Sequence, residues 1–298
     1  MSEEKKSKFE DYFTKNHKKL MLVPLLILVF SILVLSINFA SSGEIVKRSV
    51  ELRGGATATI TKTDLDFNQI ESHLRDSYED ITIRKIKTPS SNIVEGLTIE
   101  VGGTTESELK ATLDEININS ENLEEGVELT IGDTSSEFSE GFYKSLIKVI
   151  LIAFVLMSLA VFIAFRSIIP SIAVISSVII DLLFTLAMVS LLNINLSAGG
   201  IVAFLLVIGY SLDTDIVLTN SFLKKKSLSL YSRYREAMTT GLTMTVTTLV
   251  ALTAAYFVSS NEIWQQMFLI IIFALIADVF VTYLFNAPIL WMHVSKKK

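Results

Sequence analysis

Four carboxylates stand inside stretches otherwise apolar enough to cross a membrane: Asp181 in Ile168–Leu192, Asp213 and Asp215 in Leu196–Phe222, and Asp278 in Met267–Trp291. On insertion scales a charged side chain near the middle of a membrane helix costs roughly 2.5 to 3.5 kcal/mol, so a chain rich in Leu and Ile does not place four there without a use. The chemistry open to them is reversible protonation, because removal from water favours the neutral form of a carboxyl and no Lys or Arg lies mid-span to oppose it. Asp213 and Asp215 differ by about 200° in direction on one helix, so at most one can face a given neighbour. Asp213 follows Gly209 by four residues, and the small glycine predicts close approach of another helix that shields the carboxyl. Asp213 is therefore the first proton-coupling candidate, with Asp215, Asp181 and Asp278 behind it; Asp278 has no obvious polar partner. The competing reading is structural, since Thr hydroxyls and protonated carboxyls join membrane helices through hydrogen bonds of about 0.6 to 2 kcal/mol.

These groups need helices at matching depth. At about 1.5 Å per residue, Asp181 lies roughly 20 Å from Ile168, Asp213 roughly 16 Å from Lys224, and Asp215 roughly 13 Å from it. The Ala237–Val258 stretch adds Thr240, Thr243 and Thr247 at helical spacing, which predicts a polar layer across at least three helices. Glycines 199, 200, 209 and 241 point to close helix packing, and Trp264 and Trp291 mark the membrane interface.

The 298 residues are 50% hydrophobic with a mean hydropathy of +0.51, too apolar for an ordinary soluble protein. Six spans are expected: Leu20–Ala40, Leu146–Phe165, Ile168–Leu192, Leu196–Phe222, Ala237–Val258 and Met267–Trp291. The first, at 21 residues, reads as an uncleaved anchor; a cleaved signal peptide is the rival, with small residues at Ala40-Ser41-Ser42. Basic residues gather in the tail 1–19, at Arg166, at Lys224–Lys226 with Arg233 and Arg235, and at Lys296–Lys298. All lie on the face that the positive-inside rule makes cytoplasmic, so both termini, 1–19 and 295–298, are expected inside and the block 41–143 outside. Residues 144–294 then form a five-helix membrane domain.

The outer block holds 9 Lys and Arg against 21 Asp and Glu, a balance of -12, which excludes nucleic acid as a partner. Val50–Ile60 reads as a strand containing the pair Gly54-Gly55, Leu65–Leu74 as a helix, and Ile81–Ile86 and Ile93–Val101 as strands around the turn Pro89–Asn92. Glu106–Ile116 reads as a helix and Gly126–Ile131 as a final strand. This β-α-β-β-α-β order predicts a ferredoxin-like α+β domain attached to an α-helical polytopic membrane protein.

No phosphate-binding loop, HExxH or serine elbow is present, Cys is absent, and His17, His73 and His293 lie outside the expected spans. Enzymatic activity, a bound metal and a cofactor are accordingly not expected. The sequon Asn195-Leu196-Ser197 sits at a span edge and reads as chance.

The stretch Gly209-Tyr210-Ser211-Leu212-Asp213-Thr214-Asp215-Ile216-Val217 resembles the fourth span of the SecF branch of the SecD/SecF protein-export family, whose pattern is like G-Y-S-L-N-D-T-I-V-V. Asp181-Leu182 with Thr185 resembles the family's H-D-V-x-x-T, Arg53-Gly54-Gly55-Ala56 its glycine-pair motif, and Thr247-Thr248-Leu249 its T-T-L. Thr214 stands where the bacterial pattern has its acid, Ile180 replaces the histidine, and Thr240 replaces an arginine, changes that resemble the archaeal branch. The resemblance implies an accessory subunit that pairs with a SecD-like chain, associates with the Sec channel, contacts exported polypeptides and membrane lipid, and uses the proton gradient. The RND superfamily to which that family belongs also implies two rivals: a half-transporter for lipids or small hydrophobic molecules, and a gradient-independent holding factor.

Overall fold

A computed structural model describes residues 8–61, 67–78, 80–87, 94–116, 118, 128–224, 228–259 and 261–296. The turn Pro89–Asn92, Lys225, Lys226 and the extreme termini lie outside them.

The sheet domain begins with a short helix, α3 (Val50–Arg53), where a strand is expected, and β1 (Gly55–Thr61) starts only after the glycine pair. The reason lies in the backbone: Gly54 and Gly55 have φ of 86° and 145°, values that bulkier residues avoid, and they turn the chain from helix into strand. A Cβ on Gly55 would collide with the Val101 carbonyl oxygen. Then follow α4 (Phe67–Ser77), β2 (Ile81–Lys87), β3 (Val94–Gly102), α5 (Glu106–Glu115) and β4 (Glu128–Thr134). The sheet is antiparallel throughout in the order β2-β3-β1-β4. Ala56, Ala58 and Ile60 alternate inward from β1 and meet Leu97, Ile99 and Val101 of β3, under Leu74 of α4 and Leu109 and Leu113 of α5. Thr105 and Glu108 form a capping box that fixes the start of α5.

Among the described residues, six helical segments are long and apolar enough to cross a membrane. The first runs from Lys15, near the end of α1 (Lys8–Leu20), through α2 (Leu22–Ser42); the next four are α6 (Ser136–Phe165), α7 (Ile168–Leu191), α8 (Ala198–Lys224) and α9 (Leu230–Val258). Helices α6 and α9 begin ten and seven residues before the apolar stretches that announce them. The last span is not one helix: α10 (Glu262–Val281) passes through a π-helical turn, Thr282–Asn286, into α11 (Ala287–Ser295). Pro288 explains the break, since it has no N–H to donate and its ring would strike the Leu284 carbonyl in an unbroken α-helix. The Ala287 N–H instead reaches back five residues to the Thr282 carbonyl.

The bundle has an inner and an outer layer. In α7, α8 and the last span 50% of the most apolar window is buried, against 11% in α2, α6 and α9, so the first three form the core. All four membrane carboxylates sit on those three inner helices. The sheet domain is tied to the bundle by main chain: Leu196 N–H donates to the Lys47 carbonyl at 2.8 Å, and Ser49 N–H to the Leu196 carbonyl at 2.9 Å. Asn195 of the apparent sequon adds a side-chain bond to Thr82 Oγ1 of β2 at 2.6 Å.

Candidate functional site

Along α8 the buried positions Val207, Ser211, Thr214, Asp215 and Leu218 repeat at helical spacing and face the core. Asp215 belongs to this stripe and Asp213 does not, which follows from their 200° separation. The Asp213 side chain is exposed, and a Cβ on Gly209 would meet nothing within 4 Å, so among the described residues no helix shields that face. The choice of Asp213 as the shielded group is corrected: the face marked by Gly209 points out of the bundle. Tyr210, beside it in the motif, is also largely exposed.

Asp278 and Asp215 are joined through one shared hydroxyl, and Asp181 is linked to Asp278 through Ser211 and Thr214 by way of the Ser211 carbonyl. Ser211 Oγ donates to Asp181 Oδ2 at 2.6 Å. Thr214 Oγ1 lies 3.0 Å from the Ser211 carbonyl and 2.8 Å from Asp278 Oδ2. Thr282 Oγ1 lies 3.0 Å from Asp278 Oδ1 and 2.9 Å from Asp215 Oδ1, and Asn286 Nδ2 donates to that same Asp215 oxygen at 2.7 Å. Asp278, expected to lack polar partners, thus has two. All three aspartates are buried, Ser177 faces Asp215, and among the described residues Asn286 Oδ1 has no hydrogen-bond partner. Among the described residues no three His, Cys, Asp or Glu side chains converge as a metal site. The carboxyls form a string rather than a cage.

Counting hydrogens shows what the string can do. A threonine hydroxyl carries one hydrogen. Thr214 and Thr282 each face two acceptors, so both contacts of either hydroxyl are hydrogen bonds only when a carboxyl supplies a second hydrogen. The arrangement therefore suits carboxyls that gain and lose protons, with the Thr282 hydroxyl able to switch direction between Asp278 and Asp215.

The π-helical turn positions the far end of the string. It sets Thr282 and Asn286 toward α8, while Gly241 of α9 packs so closely on Tyr283 that a Cβ would overlap its hydroxyl. On the side away from the sheet domain, buried Arg233 donates to the Phe222 carbonyl at 2.9 Å and the Leu228 carbonyl at 3.0 Å, closing the end of α8.

The threonine layer is also corrected. Thr240, Thr243 and Thr247 are exposed, and each hydroxyl bonds a carbonyl of its own helix, those of Glu236, Thr239 and Thr243. Because α9 is an outer helix, its polar stripe faces away from the aspartates, and the polar layer is built instead by Ser211, Thr214, Thr282 and Asn286. The first two share a helical face with Asp215, and that spacing is the signal that selects Asp215 over Asp213. The latter two depend on the π-helical turn, which hydropathy does not reveal.

Residues 116–296 match the family described as protein export membrane protein SecD/SecF, C-terminal. The chain is 30% identical over 285 residues to the protein-export membrane protein SecF of Pyrococcus furiosus, an alignment covering 94% of this chain and 92% of that one. To the SecF of Methanocaldococcus jannaschii it is 32% identical over 294 residues, covering 95% and 97%. Among solved structures it resembles SecDF of Thermus thermophilus with a TM-score of 0.73 at 15% identity, and SecDF in a super-membrane-facing form with a TM-score of 0.60 at 18% identity. These likenesses cover 96% of this chain but 38% and 39% of the SecDF chains, so the chain spans about two fifths of their length. A match over most of the sequence, full-length relatives at this identity and a shared fold lead to one conclusion: the chain belongs to the SecD/SecF family of protein-export membrane proteins, an accessory of export and not an enzyme.

Proposed function

We propose that this chain is one half of a two-part export machine: it pairs with a six-span SecD-like chain beside the Sec channel and uses the proton gradient to assist polypeptides emerging on the sheet-domain side. The observation that carries the proton reading is the hydrogen count at Thr214 and Thr282, each of whose hydroxyls faces two acceptors with one hydrogen, in a string that Ser211 extends to Asp181. Both termini are read as cytoplasmic from their lysines, placing the sheet domain outside. The domain's element order and its β2-β3-β1-β4 sheet support the ferredoxin-like reading.

Pairing is supported by the outer face of α8 and α9. Val217 and Thr240 line one groove, so one turn nearer the sheet domain Asp213 is level with Thr243 and Met244. An exposed carboxylate, an open glycine and a stripe of hydroxyls are costly against lipid and suited to a protein neighbour. The solved SecDF chains are more than twice as long as this one, which leaves room for such a half.

The test is export into sealed membrane vesicles with and without an imposed proton gradient. Asp215→Asn keeps shape and hydrogen bonds but cannot titrate, and it is expected to remove gradient stimulation while leaving assembly intact. Asp213→Asn is expected to weaken co-purification with the SecD-like chain and to spare stimulation in complexes that still form. Equal stimulation in wild type and Asp215→Asn would reduce the string to structural glue and favour a gradient-independent holding factor.

A further inference from the structure

Next to the sheet domain a cavity of about 570 Å³ opens between α2, α6, α7 and α8. This is within the size range of small-molecule sites. Its wall is aliphatic and aromatic: Ile150 of α6, Leu182, Leu183 and Leu186 of α7, and Ile201 and Phe204 of α8. Polar side chains occur at one end only, where the chain leaves α2. There Arg48 Nη2 donates to Glu44 Oε1 at 2.7 Å, and the guanidinium lies 5.0 Å from the centre of the Tyr143 ring. α2 packs on α7, and α6 packs on α7 and α8, whereas α2 and α6 share no more than a marginal contact, and the cavity lies where they stand apart.

From this geometry we infer that the cavity is a binding site for one glycerophospholipid from the leaflet on the sheet-domain side, with an acyl chain between α6 and α7 and the phosphate at Arg48. The dimensions agree with that occupant. Leu182 is nine residues from the end of α7 at Leu191, about 14 Å, close to half of a ~30 Å hydrocarbon core. The polarity runs the same way as a lipid molecule, with a long apolar floor and the Arg48–Glu44 ion pair at the rim. A guanidinium has five donors in a planar fork, so the bond to Glu44 leaves N–H groups for a phosphate oxygen. A peptide fits less well, because its backbone N–H and C=O groups would meet a wall that offers them no partner.

The site is separate from both surfaces already described. Phe204 and Asp213 are nine residues apart on α8, which sets them about 180° apart, so a partner seated at Asp213 leaves the cavity open. The cavity also touches Leu196 and Arg48, the residues of the backbone bridge that joins the sheet domain to the bundle. A lipid here would bear on the joint between the two.

The test uses the full chain in phosphatidylcholine vesicles containing a trace of photoactivatable lipid with a diazirine in the acyl chain, with labelled positions mapped by peptide mass. Phosphatidylglycerol is expected to label Ile147, Ile150 and Leu182–Leu186 in preference to Leu151 and Leu156 on the lipid-facing side of α6. A diacylglycerol probe, without phosphate, is expected to label the cavity about fivefold less, the effect of one interfacial Arg. Arg48→Gln should remove that preference, and Leu186→Trp should fill the cavity and abolish its label while Leu151 and Leu156 stay labelled. Even labelling around α6, equal labelling by the two probes in wild type, or cavity labelling unchanged in Leu186→Trp would each overturn the assignment.

Discussion

Thr282 touches two carboxyls with one hydroxyl, and single-atom changes there separate its roles. Thr282→Ser keeps the hydroxyl and is expected to retain gradient-stimulated export. Thr282→Val keeps the volume and removes the donor, leaving Asp278 Oδ1 without a partner; it is expected to lose most stimulation and about 1 to 2 kcal/mol of stability, read as a lower melting temperature in detergent. A Thr282→Val variant with full stimulation would remove the hydroxyl from the string. At this scale the sequence reads clearly for which residues are costly and poorly for where they point. Four aspartates in apolar stretches are visible at once, and so is the 200° that separates Asp213 from Asp215. Choosing between them from Gly209 fails, because a glycine permits close approach without saying which molecule approaches. Counting Ser211, Thr214 and Asp215 as one face points to the buried group, since three polar residues on one stripe find their partners on the helices packed against it.

At the scale of elements the glycine pair gives a contrast within one domain. Gly55→Ala introduces a Cβ at φ 145° against the Val101 carbonyl and is expected to destabilise the domain by about 1 to 3 kcal/mol. Gly132→Ala in β4 meets open space and is expected to leave stability unchanged or slightly raised. Thermal melts of an isolated 43–139 fragment compare the two, and the fragment itself is expected to melt cooperatively because β1, β3, α4 and α5 enclose one core. Equal melting of the two variants would mean that the backbone at Gly55 relaxes freely. The strands and helices of this domain are legible because alternation and helical periodicity report local burial, and α5 lies within one residue of its expected bounds. The first strand is misjudged where backbone conformation, not side-chain pattern, decides the start. The last span is misjudged for a related reason, because hydropathy is blind to the change of hydrogen-bond ladder around Pro288.

For the whole molecule the number of spans and the layering decide what can assemble. Protease added to sealed right-side-out vesicles is expected to cut within residues 41–135 and to spare the loop between α8 and α9; cleavage of that loop from outside would invert the topology. Thr243→Leu with Asp213→Leu makes the outer face of α8 and α9 apolar. This double variant is expected to lose co-purification of a SecD-like chain in mild detergent while the monomer keeps its melting temperature, because neither side chain packs inside this chain. Retained pairing would move the interface to another face. Hydropathy makes six spans and one domain plain, whereas the division into inner and outer helices does not follow from it, because the outer helices α2 and α6 are as apolar as the inner last span.

The π-helical turn at Thr282–Asn286 makes the site sensitive to length as well as to residue type. A π turn closes over one residue more than an α turn, so everything beyond it is rotated by about 100° relative to a regular continuation of α10. A deletion of a single residue among 283–285 would shorten the turn and swing Asn286 off Asp215 without altering any carboxylate, while Pro288 would still bar a regular ladder. Relatives that keep every aspartate but differ by one residue in this stretch would therefore carry the same acids in a different geometry, and aligning those chains without a gap would hide it.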